Sequence, residues 1–588
     1  MLITKAITTL SSLSAVAFIS IDTSPASSSN INYNVINVSN NTYAMGVVVD
    51  NVTYPLTLSE DADILYTGSA PVAYSGYSYV QINKVTNATE MEPFLRKPIE
   101  TNTFNEFFNR TWNQYQVATL PNIYEPVKEI NRIKTNLHRE GEIATIHITA
   151  NQTEFDRLVN SNITDDYELK TTKLSYVNLN ETFSFKHVKL SLSGHSSRLM
   201  PKVSFNLKLK KKDRLYQFRH IKLRAMITDP SYLREKLSYD VIKSVGLLSS
   251  EYSYCRLFVN GRPLGLFGIM EPFQDPWLAN SFADGNEDYE NGYLYQGLIA
   301  YNIPDLTYHE NKTMYTLGEY KVKVPAPGGT KEDFQPLIDF TKAISKAPTN
   351  GSNAVESWNK IMNMDVFLRN MAVEILLGLS DGFIAGHNNF YLYKNPSTDR
   401  MFYIPADFDL NMGNSINGIS GMLTGNYSTF PQMNSTYLMD KLLQVPEFKQ
   451  TFESYLFNIT QNLVNPTVMN NRINDLSNML KEDVAWDQDL VYAGFNFSSM
   501  FGDFKGINMS GSDMHLPLNN KPDNTSAFES ALLKVFKDPY IVDFGLRILF
   551  RVPFETAVNG PTGYISLVGI KEWVQKINEN VLNYFNHK

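Results

Sequence analysis

The sequence predicts an α+β protein: a small β-rich N-terminal part, then a larger part that passes from mixed β/α to mainly helical. Three observations carry this. Between residues 31 and 120, short apolar runs such as AMGVVVDNVTYPL, ILYTG and YSYVQINKV alternate with turn residues, the pattern of short strands sharing one core. From IATIHITA at residues 143–150 the strands are interleaved with a helix. Beyond Trp277 helical periodicity dominates, with candidates at 332–346 and 364–379 and a long stretch from about 437 to 482.

The 588 residues exceed one ordinary core, so two or three domains are expected. The 52 basic and 60 acidic residues give a net charge of −8 without an acidic tail or a basic block, which argues against a general nucleic-acid surface. The run Lys208, Lys210, Lys211 and Lys212 is the exception and reads as a solvated strand edge or hairpin. Cys255 is the single cysteine, so no intrachain disulfide and no cysteine metal site is possible; a buried thiol is expected. Residues 1–26 have the layout of a secretory signal peptide: Lys5, a serine-interrupted apolar segment too short for a membrane span, then small residues including Ala26. Sixteen Asn-x-Ser/Thr sequons between Asn37 and Asn524 fit a secreted or surface glycoprotein. No hydrophobic tail follows up to Lys588, so neither a GPI signal nor a transmembrane span is expected.

In chain order, residues 27–135 form the N-terminal β domain and linker, which is expected to be sandwich-like, with the polar-irregular stretch PNIYEPVKEINR as connection. In residues 140–280, strands HVKLSLSG and VSFNLKLKK flank a loop of Gly194, His195, Ser196, Ser197 and Arg198 before the strand FRHIKLRA. Asp229 and Pro230 offer an N-cap and a first-turn proline for a helix through Val245, with Gly246 as its stop. CRLFVNGRPLGLFGIME reads as a hairpin turning at Asn260 and Gly261. Strands, helix, hairpin is the order of a kinase small lobe and of many other α+β domains.

Residues 281–588 hold the most informative segment. The amphipathic helix DVFLRNMAVEILLGLS runs into Asp381; the loop DGFIAGHN, the strands NFYLY and MFYIP, and then Asp407 and Asp409 follow. A hairpin can therefore fold two carboxylate sites beside each other. Phosphoryl transfer needs a carboxylate near the attacking hydroxyl, oxygen ligands for Mg²⁺ and cations on the phosphates. Asp381, Asn389 and Asp407 have the side-chain types for the first two. For the cation, Lys202 ranks first and Arg224 second, with Glu235 as the helical partner of a strand cation; Lys222 lies beside them. Taken singly, an aspartate after a helix reads as a cap, D-x-D after a strand as a turn, and Gly194–Ser197 as a plain hairpin loop. His387 lacks a partner histidine, the run Asp284, Glu287, Asp288 and Glu290 reads as a solvated loop, and Trp277 as core. No G-x-S-x-G, H-E-x-x-H or Walker motif is present.

The segments SGHSSRLMPK, DPSYLREKLSYDVIKSVG, RLFVNGRPLGLFGIMEPF, DGFIAGHNNFYLY and IPADFDLNMG, in this order, resemble the CotH (spore-coat protein H) family of atypical kinases over roughly residues 140–580. The resemblance implies an atypical protein-kinase-like bilobal domain, with residues 140–280 as the small lobe and 281–588 as the helical large lobe. It matches Asp381 to the catalytic aspartate, Asn389 to the asparagine before the aromatic strand, Asp407 to the Mg²⁺-binding aspartate, and Asp409 and Gly413 to the family's D-x-D…G pattern; Asp407, Asn389 and Asp409 are the expected metal ligands. ATP and Mg²⁺ or Mn²⁺ are the implied cofactors; Lys202, Arg224, Glu235, Ser196 and Ser197 are the expected nucleotide side. Two departures fall on that side: Ala406 stands where many bacterial members carry Trp, and Ser193–Ser197 replaces an Arg-Gly-Asn-Ser-Ser loop. The implied activity is transfer of the ATP γ-phosphate to Ser or Thr of a secreted or surface protein, including itself. The alternatives are a surface adhesin or invasin that binds a host receptor through a degenerate kinase fold, as some fungal members do, and a wall-associated structural protein.

Overall fold

The computed structural model describes residues 29–39, 42–160, 167–194, 198, 200–299, 303–490 and 537–588. The expected signal peptide and the loop residues Ser196 and Ser197 lie outside them. A seven-stranded sheet and a closed barrel precede a helical body.

Seven strands form the N-terminal part: β1 (Asn30–Ile36), β2 (Tyr43–Val49), β3 (Val52–Leu58), β4 (Leu65–Pro71), β5 (Tyr77–Asn83), β6 (Thr89–Met91) and β7 (Asn105–Phe107). Their order along the ladder is β6-β5-β2-β3-β4-β1-β7, and side chains from β1 to β5 share one core. β3 pairs with β2 over most of its length but with β4 only at Thr57 and Leu58. The sheet folds back at that weak seam, so Tyr33 of β1 meets Tyr77 of β5 edge-on at 5.1 Å although the strands are far apart in the ladder.

The next seven strands are β8 (Ile143–Thr149), β9 (Glu168–Val177), β10 (Thr182–Ser193), β11 (Ser204–Lys208), β12 (His220–Arg224), β13 (Ser253–Val259) and β14 (Arg262–Met270). They close into a barrel, β10-β11-β12-β14-β13-β8-β9, in which β8 and β13 run parallel. Closure removes exposed edges. Leu174, Leu190, Leu207, Leu223, Leu257 and Ile269 fill the interior with the buried thiol of Cys255. Along β12 the alternation sends Ile221 and Leu223 inward, which leaves Lys222 and Arg224 on the outer face. The β13–β14 turn has the expected form, with Asn260 and Gly261 both at positive φ (51° and 76°).

Helix α1 (Gln152–Val159) caps one barrel face, and α2 (Arg234–Ser244) connects β12 to β13. α2 starts later than expected. Asp229 is not its cap but orders the preceding turn by accepting from the Ser231 and Arg234 amides, each at 2.9 Å; Gly246 ends it at φ 69° as expected.

After α3 (Trp277–Phe282) comes a four-stranded sheet of β15 (Leu294–Gly297), β16 (Tyr320–Val324), β17 (Phe390–Asn395) and β18 (Arg400–Pro405) in the order β16-β15-β17-β18. The helical body contains α4 (Gln335–Lys346), α5 (Ala354–Ile361), α6 (Met364–Leu377), α7 (Phe383–Gly386), α8 (Tyr437–Leu443), α9 (Pro446–Asn462), α10 (Pro466–Asp489), α11 (Pro539–Leu549), α12 (Phe554–Asn559) and α13 (Ile570–Asn586). The long stretch expected at 437–482 is three helices, because Pro446 and Pro466 each start a new one. α6 was expected to be amphipathic but is buried almost all round. Among the described residues no helix is long and apolar enough to cross a membrane.

Candidate phosphotransfer site

Helix α6 starts at the Asn363 cap, which accepts from the Val366 amide, and ends at Gly378 in the left-handed region (φ 61°). A Cβ on Gly378 would lie 2.4 Å from the Trp573 ring, so glycine is required on both counts. Beyond this stop the chain runs alongside the segment that follows β18: the Ser380 amide donates to the Leu410 carbonyl at 3.1 Å and the Met412 amide to the Leu377 carbonyl at 2.6 Å. The β17–β18 hairpin, in register at Phe390 and Pro405, is closed by the Ala406 amide donating to the Asn389 carbonyl at 3.0 Å. Asp381, Asn389, Asp407 and Asp409 are thereby gathered on one side of the helical body.

Asp381 is held by two amides. Asn388 Nδ2 donates to both carboxylate oxygens at 3.0 and 3.1 Å, and Asn389 Nδ2 donates to Asp381 Oδ2 at 2.8 Å and to its carbonyl at 3.0 Å. Burial, together with the charges of Asp409 and Asp407, pushes the Asp381 carboxyl up to about 6. Those charges register the nearness of the D-x-D pair. A Cβ on Gly386 would approach the Asp381 Cα to 2.9 Å, so the short α7 turn packs directly beneath this aspartate.

Arg224 faces the same place from the barrel. Its Nε donates to Glu235 Oε2 at 2.9 Å, and its Nη2 contacts Asp407 Oδ1 and, at 3.0 Å, Asp409 Oδ2. Thr228 Oγ1 adds a 2.8 Å bond to Asp409 Oδ2. Burial opposes the guanidinium charge, but Asp407, Asp409 and Glu235 outweigh it and hold the group well above its ordinary value. Burial raises Asp409, and the neighbouring Asp407 charge raises it further. Asp407 is lowered: burial works against that, but Arg224 and Lys222 outweigh it. Glu235 is raised, by burial first.

Of the two expected cations, the structure therefore joins Arg224 to Glu235 and to both aspartates. Lys202 is placed differently: its Nζ lies 2.7 Å from Asp487 Oδ1 on α10 and donates to the Leu266 carbonyl at 2.5 Å, so it ties the barrel to the helical body. His387 ends α7 at φ 47° with Nε2 3.4 Å from Thr436 Oγ1, and burial lowers its basicity. The acidic run at 284–290 is exposed, and Trp277 is core.

Sequence reasoning missed two residues. Asn388, quoted only as part of a motif, holds Asp381 as directly as Asn389 does. Glu374 is buried within α6, accepts from the Ile384 amide at 2.5 Å and also faces the Phe383 and Ala385 amides. Burial, the main cause, and Asp381 push it up to about 8. Its signal was legible: a lone carboxylate in the apolar run MAVEILL.

The chain matches the family described as CotH kinase protein over residues 190–502, more than half of its length. The chain belongs to the CotH kinase protein family. Similarity extends further than that segment. Invasin CotH3 of Rhizopus delemar is 28% identical over 485 residues, covering 80% of this chain and 78% of its own length. Invasin CotH2 of the same fungus is 27% identical over 466 residues, covering 77% and 75%. Inner spore coat protein H of Bacillus subtilis is 25% identical over 301 residues, covering 51% of this CotH chain and 78% of its own length.

The donor set of this CotH protein fits a small divalent cation. Asp407 and Asp409 meet at one Arg224 nitrogen and are both partly exposed, an arrangement of two neighbouring carboxylates that favours a cation beside them. Asn389 commits its Nδ2 to Asp381, and its side-chain Oδ1 makes no hydrogen bond among the described residues. Carboxylate and amide oxygens without sulfur or imidazole suit Mg²⁺ or Mn²⁺.

Proposed function

We propose that this CotH protein is a secreted, metal-dependent phosphotransferase with a kinase-like bilobal arrangement, the barrel serving as small lobe and the helical body as large lobe. It transfers the ATP γ-phosphate to a Ser or Thr hydroxyl of a secreted or surface protein, itself included. The observation that carries the reading is the convergence of Asp381, clamped by Asn388 and Asn389, on the Asp407–Asp409 pair that Arg224 and Glu235 face from the other side.

Asp407, Asp409 and Asn389 Oδ1 would hold Mg²⁺ or Mn²⁺, which neutralises phosphate charge when bound. Asp381 accepts the hydrogen bond of the incoming hydroxyl and orients its oxygen toward the γ-phosphorus. A new P–O bond forms to that oxygen, the bond to the β-phosphate oxygen breaks, and the hydroxyl proton passes to Asp381, whose raised affinity suits a base working near neutral pH. Arg224 redistributes from the aspartates to phosphate oxygens, with Glu235 keeping it in place.

The second reading is a surface invasin that binds a host receptor. It is favoured by the names of the Rhizopus relatives and by the guanidinium of Arg224, which occupies the faces of Asp407 and Asp409.

Incubation of the glycosylated protein with labelled ATP and Mg²⁺ or Mn²⁺ decides between them. Label should enter protein with wild type and not with Asp381→Ala, while Asp381→Ala keeps most of a metal-dependent nucleotide shift in melting temperature and Asp407→Ala loses it. No metal-dependent shift at millimolar ATP, with cell binding intact, would give the invasin reading precedence.

A further inference from the structure

A cavity of about 560 Å³ opens between the barrel and the edge strand β16, lined by Lys208, Arg219, His220, Lys321, Lys323 and Lys331 with Tyr320, Phe334, Gln274 and Asp275. Four separate parts of the chain supply its cations: the end of β11, the start of β12, β16 and the loop before α4. Asp275 is the single lining carboxylate against five Lys or Arg. The protein as a whole is acidic, at −8.

The bland explanation is edge protection, since lysines on an edge strand discourage strand pairing. It accounts for Lys321 and Lys323, which alternate with the buried Tyr320, Val322 and Val324. It does not account for Lys208, Arg219 and Lys331 converging on the same space. Nor does it account for their pairing: among the described residues none of the five has a carboxylate within salt-bridge distance, although ion pairs are plentiful elsewhere in the molecule. The cations repel one another. Burial first, then Lys321, Lys222 and Lys331, push Lys323 down to about 8; burial, Lys208, Arg219 and Arg214 push His220 down to about 4. A half-exposed cationic cluster without carboxylate partners is relieved by an anion in its midst.

The geometry points to this cavity as a binding site for a small molecule carrying two or more phosphate groups, separate from the position of the phosphate donor. The volume lies in the range of small-molecule sites, and the Tyr320 and Phe334 rings offer a wall for a carbon framework. Lys222 stands on β12 between His220 of this cluster and Arg224 of the aspartate site, so an occupant would sit next to the candidate phosphotransfer site. The inference does not require that phosphate transfer occurs.

The test uses the full glycosylated chain, chelator and inorganic tripolyphosphate as probe, followed by calorimetry and melting temperature. Tripolyphosphate should bind and stabilise, whereas sulfate at equal ionic strength should not. Lys321→Glu with Lys331→Glu, both at exposed positions, should weaken binding roughly tenfold or more, while Lys449→Glu on α9 should not weaken it. Equal stabilisation by sulfate, or unchanged binding in the double variant, would overturn the assignment. So would displacement of tripolyphosphate by Mg-ATP in a parallel titration without chelator, which would make the cavity part of the donor site. Loss of kinase activity in the transfer assay leaves every one of these readouts in place, so the two readings fail separately.

Discussion

Glu374→Gln isolates the buried α6 carboxyl that faces the α7 amides. Its folded value of about 8 lies above the ordinary 4.5, chiefly through burial. The stabilisation linked to its proton is therefore fully present below about pH 4.5 and is lost as the pH rises through about 8. Each unit between these limits is worth about 1.4 kcal/mol, so the whole span amounts to about 5 kcal/mol at most. Glutamine keeps an oxygen to accept from the Ile384 amide, 2.5 Å away in the wild type, but carries no proton to exchange. Urea unfolding of both proteins at pH 5, 6, 7, 8 and 9 in chelator should show the variant gaining on wild type by about 1 kcal/mol per unit up to pH 8 and then levelling. Glu374→Ala should lower stability at every pH, because it leaves the α7 amides without their acceptor. A Gln-minus-wild-type difference that stays flat with pH would refute the claim that this carboxyl is neutral in the folded protein.

Arg224→Met should cost about 3–5 kcal/mol at neutral pH, since it strips a partner from Glu235, Asp407 and Asp409. The cost should shrink near pH 4.5 as the carboxylates protonate, and an equal loss at both pH values in urea unfolding would contradict this. Gly378→Ala should lower the melting temperature by several degrees and alter tryptophan fluorescence, because the new Cβ meets the Trp573 ring in a left-handed backbone position. Expression in a eukaryotic host should give a glycosidase-sensitive mass excess in the medium: the sequon residues Asn51, Asn87, Asn151, Asn180, Asn311 and Asn350 are all exposed. An unmodified product retained in the cytosol would contradict secretion.

The sequence by itself determined the parts that depend on local chemistry. Gly246 and the Asn260–Gly261 turn are legible because only certain residues tolerate positive φ. The order helix, Asp381, hairpin, D-x-D could be read because each piece has its own pattern, and the family resemblance rested on that order. Where the reading missed, the missing information was long-range. Pro446 and Pro466 were in plain view but were overridden by continuous helical periodicity. Barrel closure depends on β9 meeting β10 while β8 meets β13, and strand runs alone do not specify which edges pair. The polar residues of α6 looked like a solvent face, yet Arg369, Asn370 and Glu374 are buried. Only the tertiary structure decided which cation faces the aspartates. Lys202 and Arg224 are equivalent on chemical type, but strand alternation sends Arg224 out of the barrel toward Glu235 and the D-x-D pair, while Asp487, 285 residues from Lys202 along the chain, draws that lysine to α10. Charge type is a local property of a sequence; which charges meet is set by packing between segments far apart in it.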